Sequence, residues 1–160
     1  MPKIVSKYVQ VHIATIENGE YKFLALKRAS NLKVYPDIWQ VITATIEENE
    51  TALQTALREV KEETNLNVDK IWVIPQIVSF YNYPEDEIHL NTVFGVLTLN
   101  SERLILSDEH QDFIWEFLDN HINRLALFSH KETAKVFYEQ ILINKNNKIP
   151  AIDLNGLYEK

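Results

Sequence analysis

Glu59, Glu62 and Glu63 lie in the run Arg58-Glu59-Val60-Lys61-Glu62-Glu63, and Glu50 stands eight residues before Arg58. On a helix, positions i, i+3 and i+4 share one face, so the three carboxylates are expected to enter one volume a few ångströms across. Left alone they would repel one another. Magnesium is a hard ion held by a few carboxylates together with substrate phosphates and water, so the run reads as a site for phosphate chemistry. The plainer reading is a solvated helix face on which Arg58 and Glu62 make a weak i, i+4 pair. Five charged types at specified positions are rarely met by chance, which favours the metal.

Composition narrows the chemistry further. The 160 residues contain no cysteine, which excludes disulfides, thiolate nucleophiles and cysteine-type zinc sites and leaves oxygen or histidine ligands for any metal. A formal charge of −7 and the lack of any Lys/Arg run argue against a nucleic-acid polymer as partner. An anionic small substrate would therefore need a cation bridge. Gly19, Gly95 and Gly156 cannot be arranged into either glycine-rich phosphate loop, so a P-loop or Rossmann enzyme is excluded. With no apolar window near about 18 residues and no leader pattern at the N-terminus, the expectation is one soluble, cytoplasmic domain over residues 1–160 with no membrane partner.

The elements that must position the carboxylates can be read from periodicity and turn chemistry. Ser6 to Ile16 and Tyr21 to Leu26 flank an Asn18-Gly19 turn and predict a β-hairpin. Ile38 to Ile42 reads as a short strand after a loop containing Pro36. The acidic helix should open at Thr51, where Gln54 completes a capping box, and bury the stripe Leu53, Ala56, Leu57 and Val60. Asn65 stands where a left-handed stop is needed. Asp69 to Tyr81 and Ile88 to Leu99 predict two neighbouring strands, Phe113 to Phe117 a shorter one, and Ser129 with Glu132 a second capping box opening a helix to about Ile143. Helices on opposite faces of a mixed sheet are the economical way to cover this order, giving an α/β fold.

The segment from Trp39 to Leu66 resembles the Nudix hydrolases, whose signature runs Gly, five residues, Glu, seven residues, Arg-Glu-apolar-x-Glu-Glu-x-Gly-apolar. Glu50, Arg58, Glu59, Val60, Glu62, Glu63 and Leu66 fill their places, while Ala44 and Asn65 stand at the two glycine positions. Ile38-Trp39-Gln40-Val41-Ile42-Thr43-Ala44 is similar to the dihydroneopterin triphosphate pyrophosphatase branch of that family, as is Ser107-Asp108-Glu109-His110 with Trp115 following. The resemblance implies an α/β/α sandwich around a central mixed sheet and Mg2+-assisted hydrolysis of a diphosphate linkage, with Mn2+ as the alternative ion. It implies Glu59, Glu62, Glu63 and Glu109 as metal ligands, with Glu109 either a ligand or the general base, and Ala44 as the donor of a backbone carbonyl to the metal. Alanine keeps that carbonyl but cannot take positive φ cheaply. Arg58 would orient a glutamate, with Glu50 supporting it or an outer-shell water.

Substrate contacts are expected from Arg28 at a strand end, for a phosphate, and from Trp39, Tyr35, Tyr81 and Tyr83, which could stack on a ring. Gln40, beside Trp39, joins this set. The core reading competes for each aromatic. His12, His89, His121 and His130 are assigned to core or surface, and His110 is singled out by its neighbour Glu109. The expected substrate is a nucleoside or pterin triphosphate, dihydroneopterin triphosphate among them, and a (di)nucleoside polyphosphate is the alternative. A Nudix-fold nucleotide-binding module without activity is the competing class, motivated by the altered Ala44 loop. A homodimer through the C-terminal helix and the segment Lys145 to Lys160 is the remaining expectation.

Overall fold

The computed structural model describes residues 1–157. Strands β1 (Lys3–Val5), β2 (Tyr8–Glu17) and β3 (Glu20–Arg28) come first, then the short strands β4 (Trp39–Gln40) and β5 (Ile42–Thr45) and helix α1 (Ala52–Thr64). The long pair β6 (Lys70–Asn82) and β7 (Glu87–Leu97) follows, and β8 (His110–Glu116), α2 (Leu118–Arg124) and α3 (Phe128–Val136) complete the core. The eight strands form one mixed sheet. β2 runs parallel to β7 and antiparallel to β3 and β5, while β8 and β4 flank β3.

β2 is covered on both faces, which is why its sequence alternates only loosely. Val9, Val11 and Ile13 point to the side where α1 packs with Ala56, Val60, Phe94 and Leu66. Ala14 and His12 point the other way, toward Phe137 and Thr133. Helices thus lie on opposite faces of the sheet, the α/β/α arrangement of the Nudix-like expectation. The hairpin turn is made as its sequence requires: Asn18 (φ 52°) and Gly19 (φ 80°) both take positive φ, matching the strands' right-handed twist.

Helix α1 forms as expected. Gln54 N–H donates to Thr51 Oγ1 at 3.2 Å, and Thr51 N–H donates to Gln54 Oε1 at 2.8 Å. At the other end Asn65 takes φ 58° and its N–H reaches Lys61 O. Asparagine tolerates this conformation, so the position works without glycine.

The strand expected at 38–42 is instead two strands. β4 pairs with the end of β3, and β5 crosses to pair with the first half of β2, Tyr8 against Thr45 through Val11 against Ile42. Two partners on two strands require the break at Val41. The N-terminal edge strand β1, which pairs in parallel with β7, and helix α2 were not anticipated. Three residues are too few for a period, and Leu118 to Arg124 begins without a side-chain cap.

The capping box expected at Ser129 and Glu132 does not form: α3 starts two residues earlier, with Leu127 rather than Ser129 as its N-cap and no side-chain cap. Ser129 sits inside the first turn, where its carbonyl accepts from Thr133 Oγ1 at 2.7 Å. The helix then widens into a π-helical turn at Phe137–Leu142. Phe137 lies directly on Gly95, where a Cβ would overlap its ring. In the segment after that helix, Ile149, Ile152 and Leu154 pack on the domain's own core and Ile152 N–H donates to Ile71 O at 2.8 Å. That part of the tail covers its own sheet; residues 158–160 lie outside the described chain. No helix among the described residues is long and apolar enough to cross a membrane.

Candidate active site

α1 presents its acidic face at the end of the sheet where β3 meets β8. The three glutamates do not share one volume equally. Arg58 stands among them and gathers those it can reach: both oxygens of Glu50 at 2.7 and 2.9 Å, Glu59 at 2.5 Å and Glu62 at 3.2 Å. The bidentate pair with Arg58, helped by the Thr55 hydroxyl, holds the Glu50 carboxyl down at about 2. The Arg58 guanidinium is pushed up by the same contact. Glu62 leans outward, its side chain 59% exposed.

Glu63 turns inward and is 4% exposed. Its Oε2 has no hydrogen-bond partner, and burial, reinforced by the charges of Glu59 and Glu109, pushes its carboxyl up to about 9. An unpaired carboxylate beside two others is the least compensated polar group on this face. Glu59 and Glu109 thus lie near enough for their charges to act on Glu63, while Glu62 is drawn off by Arg58.

The loop before β8 is tied to the end of α1 by the backbone. Ser107 N–H donates to Glu63 O at 3.2 Å and Ile105 N–H to Thr64 O at 2.9 Å. Ala29 N–H donates to Glu109 O at 2.9 Å, fixing Glu109 beside the end of β3. His110 opens β8 opposite Arg28. It is buried, lies 3.8 Å from Glu63 Oε2 through Nδ1, and meets the Gln40 amide at 3.3 Å through Nε2. Burial and the nearby Arg28 charge lower its pKa to about 4, so it is neutral at physiological pH.

Arg28 links two regions. Its charge is felt at Glu63 and His110, and it also lines a cleft of about 660 Å³ on the sheet face away from α1. Gln40, Ala44, Tyr35 and the first turn of α3 line the same cleft. Ala44 sits in regular strand opposite Val9, outside the residues with positive φ, so this backbone makes no demand that only glycine could meet. Trp39 and Tyr81 are not part of the cleft. Trp39 packs against the core beside Ala25 and Leu125 and carries the Arg124 guanidinium on its face at 4.8 Å. Tyr81 is exposed and bonds to Asp86. Tyr83 is likewise exposed, at the β6–β7 turn.

Residues 7–140 match the family model of the NUDIX domain. The chain belongs to the Nudix family. Over 124 residues it is 29% identical to the dihydroneopterin triphosphate diphosphatase of Escherichia coli (strain K12), covering 71% of this chain and 80% of that one. Among solved structures, a Nudix hydrolase family member from Listeria monocytogenes superposes with a TM-score of 0.74 at 25% identity, covering 92% and 100% of the two chains. An Ap4A hydrolase from C. elegans shares the fold, with a TM-score of 0.68 at 20% identity over 83% and 95%. The signature helix of this Nudix hydrolase is therefore α1.

The sequence reading missed the cleft's own lining. Gln10, Phe80, Asn91, Phe128 and His130 all face it. Gln10 and Asn91 were visible as polar residues inside otherwise apolar strands, a signal that only the sheet register converts into a shared face. One other cluster is compact: ligand atoms of Glu85, Glu87 and His89 lie within 4.8 Å of one another. Lys7 already sits on it, 2.7 Å from Glu87 and 3.6 Å from Glu85.

Proposed function

We propose that this Nudix protein is a magnesium-dependent pyrophosphohydrolase that cleaves a diphosphate linkage in a nucleoside or pterin triphosphate. Dihydroneopterin triphosphate is the substrate in the name of the E. coli relative, and it fits the cleft-plus-carboxylate layout. The observation that carries the reading is Glu63, a buried carboxylate with an unpaired oxygen and two negative neighbours. The charged form of such a group is unfavourable unless a cation completes it, and an all-oxygen donor set suits Mg2+, with Mn2+ the alternative.

Glu59, Glu63 and Glu109 would hold the ion, with Glu62 swinging in from Arg58; the Ala44 carbonyl stands in the β2–β5 ladder opposite Val9. Bound metal supplies charge neutralisation of phosphate oxygens and a more acidic water. The chain's own residues do the rest. Arg58, clamped by Glu50, holds Glu59 in place and fixes where its free oxygen points. Arg28, between cleft and carboxylates, takes a phosphate oxygen. Glu109, exposed on its loop, is free to accept the proton of the attacking water. Neutral His110 closes the back of the site and excludes water from Glu63.

The test is pyrophosphate release from a panel of triphosphates, with and without magnesium. Turnover should require the metal, and Glu62→Gln and Glu63→Gln should each lose well over the roughly 10- to 100-fold typical of outer-shell partners. Wild-type rates in both variants would refute the mechanism. Tight nucleotide binding with no turnover of any substrate would instead assign the protein to the binding-module class.

A further inference from the structure

The β6–β7 turn carries a group of metal-ligating side chains apart from the α1 carboxylates. Glu87 and His89 stand two residues apart on β7 and so share a face, and Glu85 joins them from the turn. The donor atoms of the three lie within 4.8 Å of one another. β2 separates β7 from β3, whose end borders the α1 site. Glu87 and His89 are buried, at 7% and 1% exposure, while the Glu85 side chain is open to water.

His89 distinguishes this group from an ordinary acidic turn. Neither of its ring nitrogens has a hydrogen-bond partner among the described residues, a costly state for a buried imidazole. Nε2 nevertheless reaches into the group, 3.1 Å from Glu87 Oε2. In a tetrahedral shell with donors about 2.0 to 2.1 Å from the ion, neighbouring donors stand about 3.3 Å apart. The contact therefore has the length of one edge of a coordination shell without being a hydrogen bond. Stacking fixes the ring in this position: it lies on Phe80 at 4.7 Å, planes within 8°, and on Tyr8 at 5.3 Å.

The cation at this place is Lys7, 2.7 Å from Glu87 and 3.6 Å from Glu85. One ammonium offsets one of the two carboxylates, and it leaves the imidazole unbonded. Its flexible stem is 41% exposed, so the ammonium can move out into solvent. A divalent ion in its stead offsets both charges and takes the orphaned nitrogen.

We propose that Glu85, Glu87 and His89 form a second metal site, for a divalent transition ion of the Zn2+ type that displaces Lys7. The imidazole sets the class: Mg2+ and Ca2+ take oxygen donors, whereas nitrogen suits Zn2+ and its first-row neighbours. Glu85 closes over the ion from the turn, and water fills the fourth position. Tyr8 and Phe80, on which His89 stacks, both line the cleft, so the bound ion steadies that wall. None of these residues belongs to the α1 site, and the proposal does not depend on how that site works.

The experiment uses full-length, chelator-stripped protein, titrated calorimetrically with ZnCl2 in a fixed millimolar excess of Mg2+ and melted with and without zinc. Wild type should bind Zn2+ at a site for which Mg2+ does not compete, and its Tm should rise with zinc. Glu85→Gln and His89→Gln should each weaken that site by roughly 100-fold, the upper end for loss of an outer-shell partner. Lys7→Met, which removes the competing ammonium, should tighten it about tenfold, one factor of ten in the dissociation constant. If His89→Gln does not fold, Glu85→Gln and Lys7→Met carry the test, because both side chains lie open to water. An ion at the α1 carboxylates would bind alike in all four proteins, so the differences among them report this site alone. Zinc affinity that Glu85→Gln and Lys7→Met leave unchanged, or zinc displaced by millimolar Mg2+, overturns the proposal.

Discussion

The two faces of the sheet both bury titratable groups, and they do so in opposite senses. On the α1 face the buried group is Glu63, a carboxyl pushed up to about 9 by burial and by two neighbouring carboxylates. On the face covered by α2 and α3 the buried groups are His12, His121 and His130, all shifted downward with burial as the leading cause, His121 to about 3 and His130 to about 4. The imidazoles are neutral at pH 7 and behave as core side chains: His121 stacks on Phe23 at 5.5 Å, and His12 lies 2.6 Å from the Thr133 hydroxyl. Neutral burial costs only hydrogen bonds, whereas Glu63 is held where its charged form is disfavoured. A fold tolerates the first for packing alone; the second makes sense when a cation is to be bound.

The largest expected effect breaks the comparison on the carboxylate side. The pKa of Glu63 rises from 4.5 unfolded to about 9 folded, so in chelator the folded state holds the proton more tightly. That contribution is present below pH 4.5 and is lost as pH rises through about 9. Wild-type protein in EDTA should therefore lose thermal stability between pH 5 and 9 on this account, and Glu63→Gln should flatten the slope while abolishing turnover. Magnesium should restore the wild-type Tm at pH 8 and do little for the variant. A metal-free Tm with the same pH dependence in both proteins would show that Glu63 is not the uncompensated group.

On the imidazole side the sign reverses. A histidine whose folded pKa lies below 6.5 contributes nothing at neutral pH and weakens the fold as pH drops from 6.5 to the folded value, because the unfolded chain takes the proton first. For His121 the window runs from 6.5 to about 3. At pH 4.5 two pH units of it have been crossed, about 2 to 3 kcal/mol. His121→Leu should remove that part of the acid-side slope, measured by urea denaturation at pH 7 and 4.5. If wild type and variant lose equal stability between those pH values, His121 is not neutral in the core.

How much of this contrast was legible in the sequence follows from its range. The α1 face is local: capping box, Arg58, three glutamates and the Asn65 stop lie within fifteen consecutive residues, Thr51 to Asn65, so spacing alone carried them. Glu109 and His110 were reached only through family resemblance, since a single carboxylate on a loop has no period. The histidine face and the cleft depend on which strands are neighbours. Nothing local tells that Gln10 and Asn91 share a face, that Val41 separates two strands, or that Phe137 needs the missing side chain of Gly95. Trp39 shows the reverse case: beside the motif it could stack on a ring or belong to the core, and the structure gives it Arg124 and the core.

A smaller effect sharpens the role of Arg58 within the acidic face. Its fork makes two bonds to Glu50 and one each to Glu59 and Glu62, a pattern the point charge of lysine cannot reproduce. Arg58→Lys should lower kcat about tenfold or more with KM nearly unchanged if its role is to position Glu59, and should cost on the order of 1 kcal/mol of stability. A rise in KM at constant kcat would move Arg58 from positioning Glu59 to binding substrate.

The smallest effect lies at Arg124, which distinguishes the faces by what is not linked to chemistry. Its guanidinium covers Trp39 and makes a bidentate pair with Glu116, both bonds 2.8 Å. Arg124 is a third exposed, so water screens the pair; removing it should cost about 0.5 to 1 kcal/mol. Arg124→Ala should lower Tm by a few degrees and leave kcat and KM as they are, because Trp39 stays seated on Ala25 and Leu125 without its cationic cover. A changed KM in that variant would return Trp39 to the substrate. It would also mean that the Trp39 side of the sheet is coupled to the cleft through Gln40, its neighbour in β4 and the partner of His110.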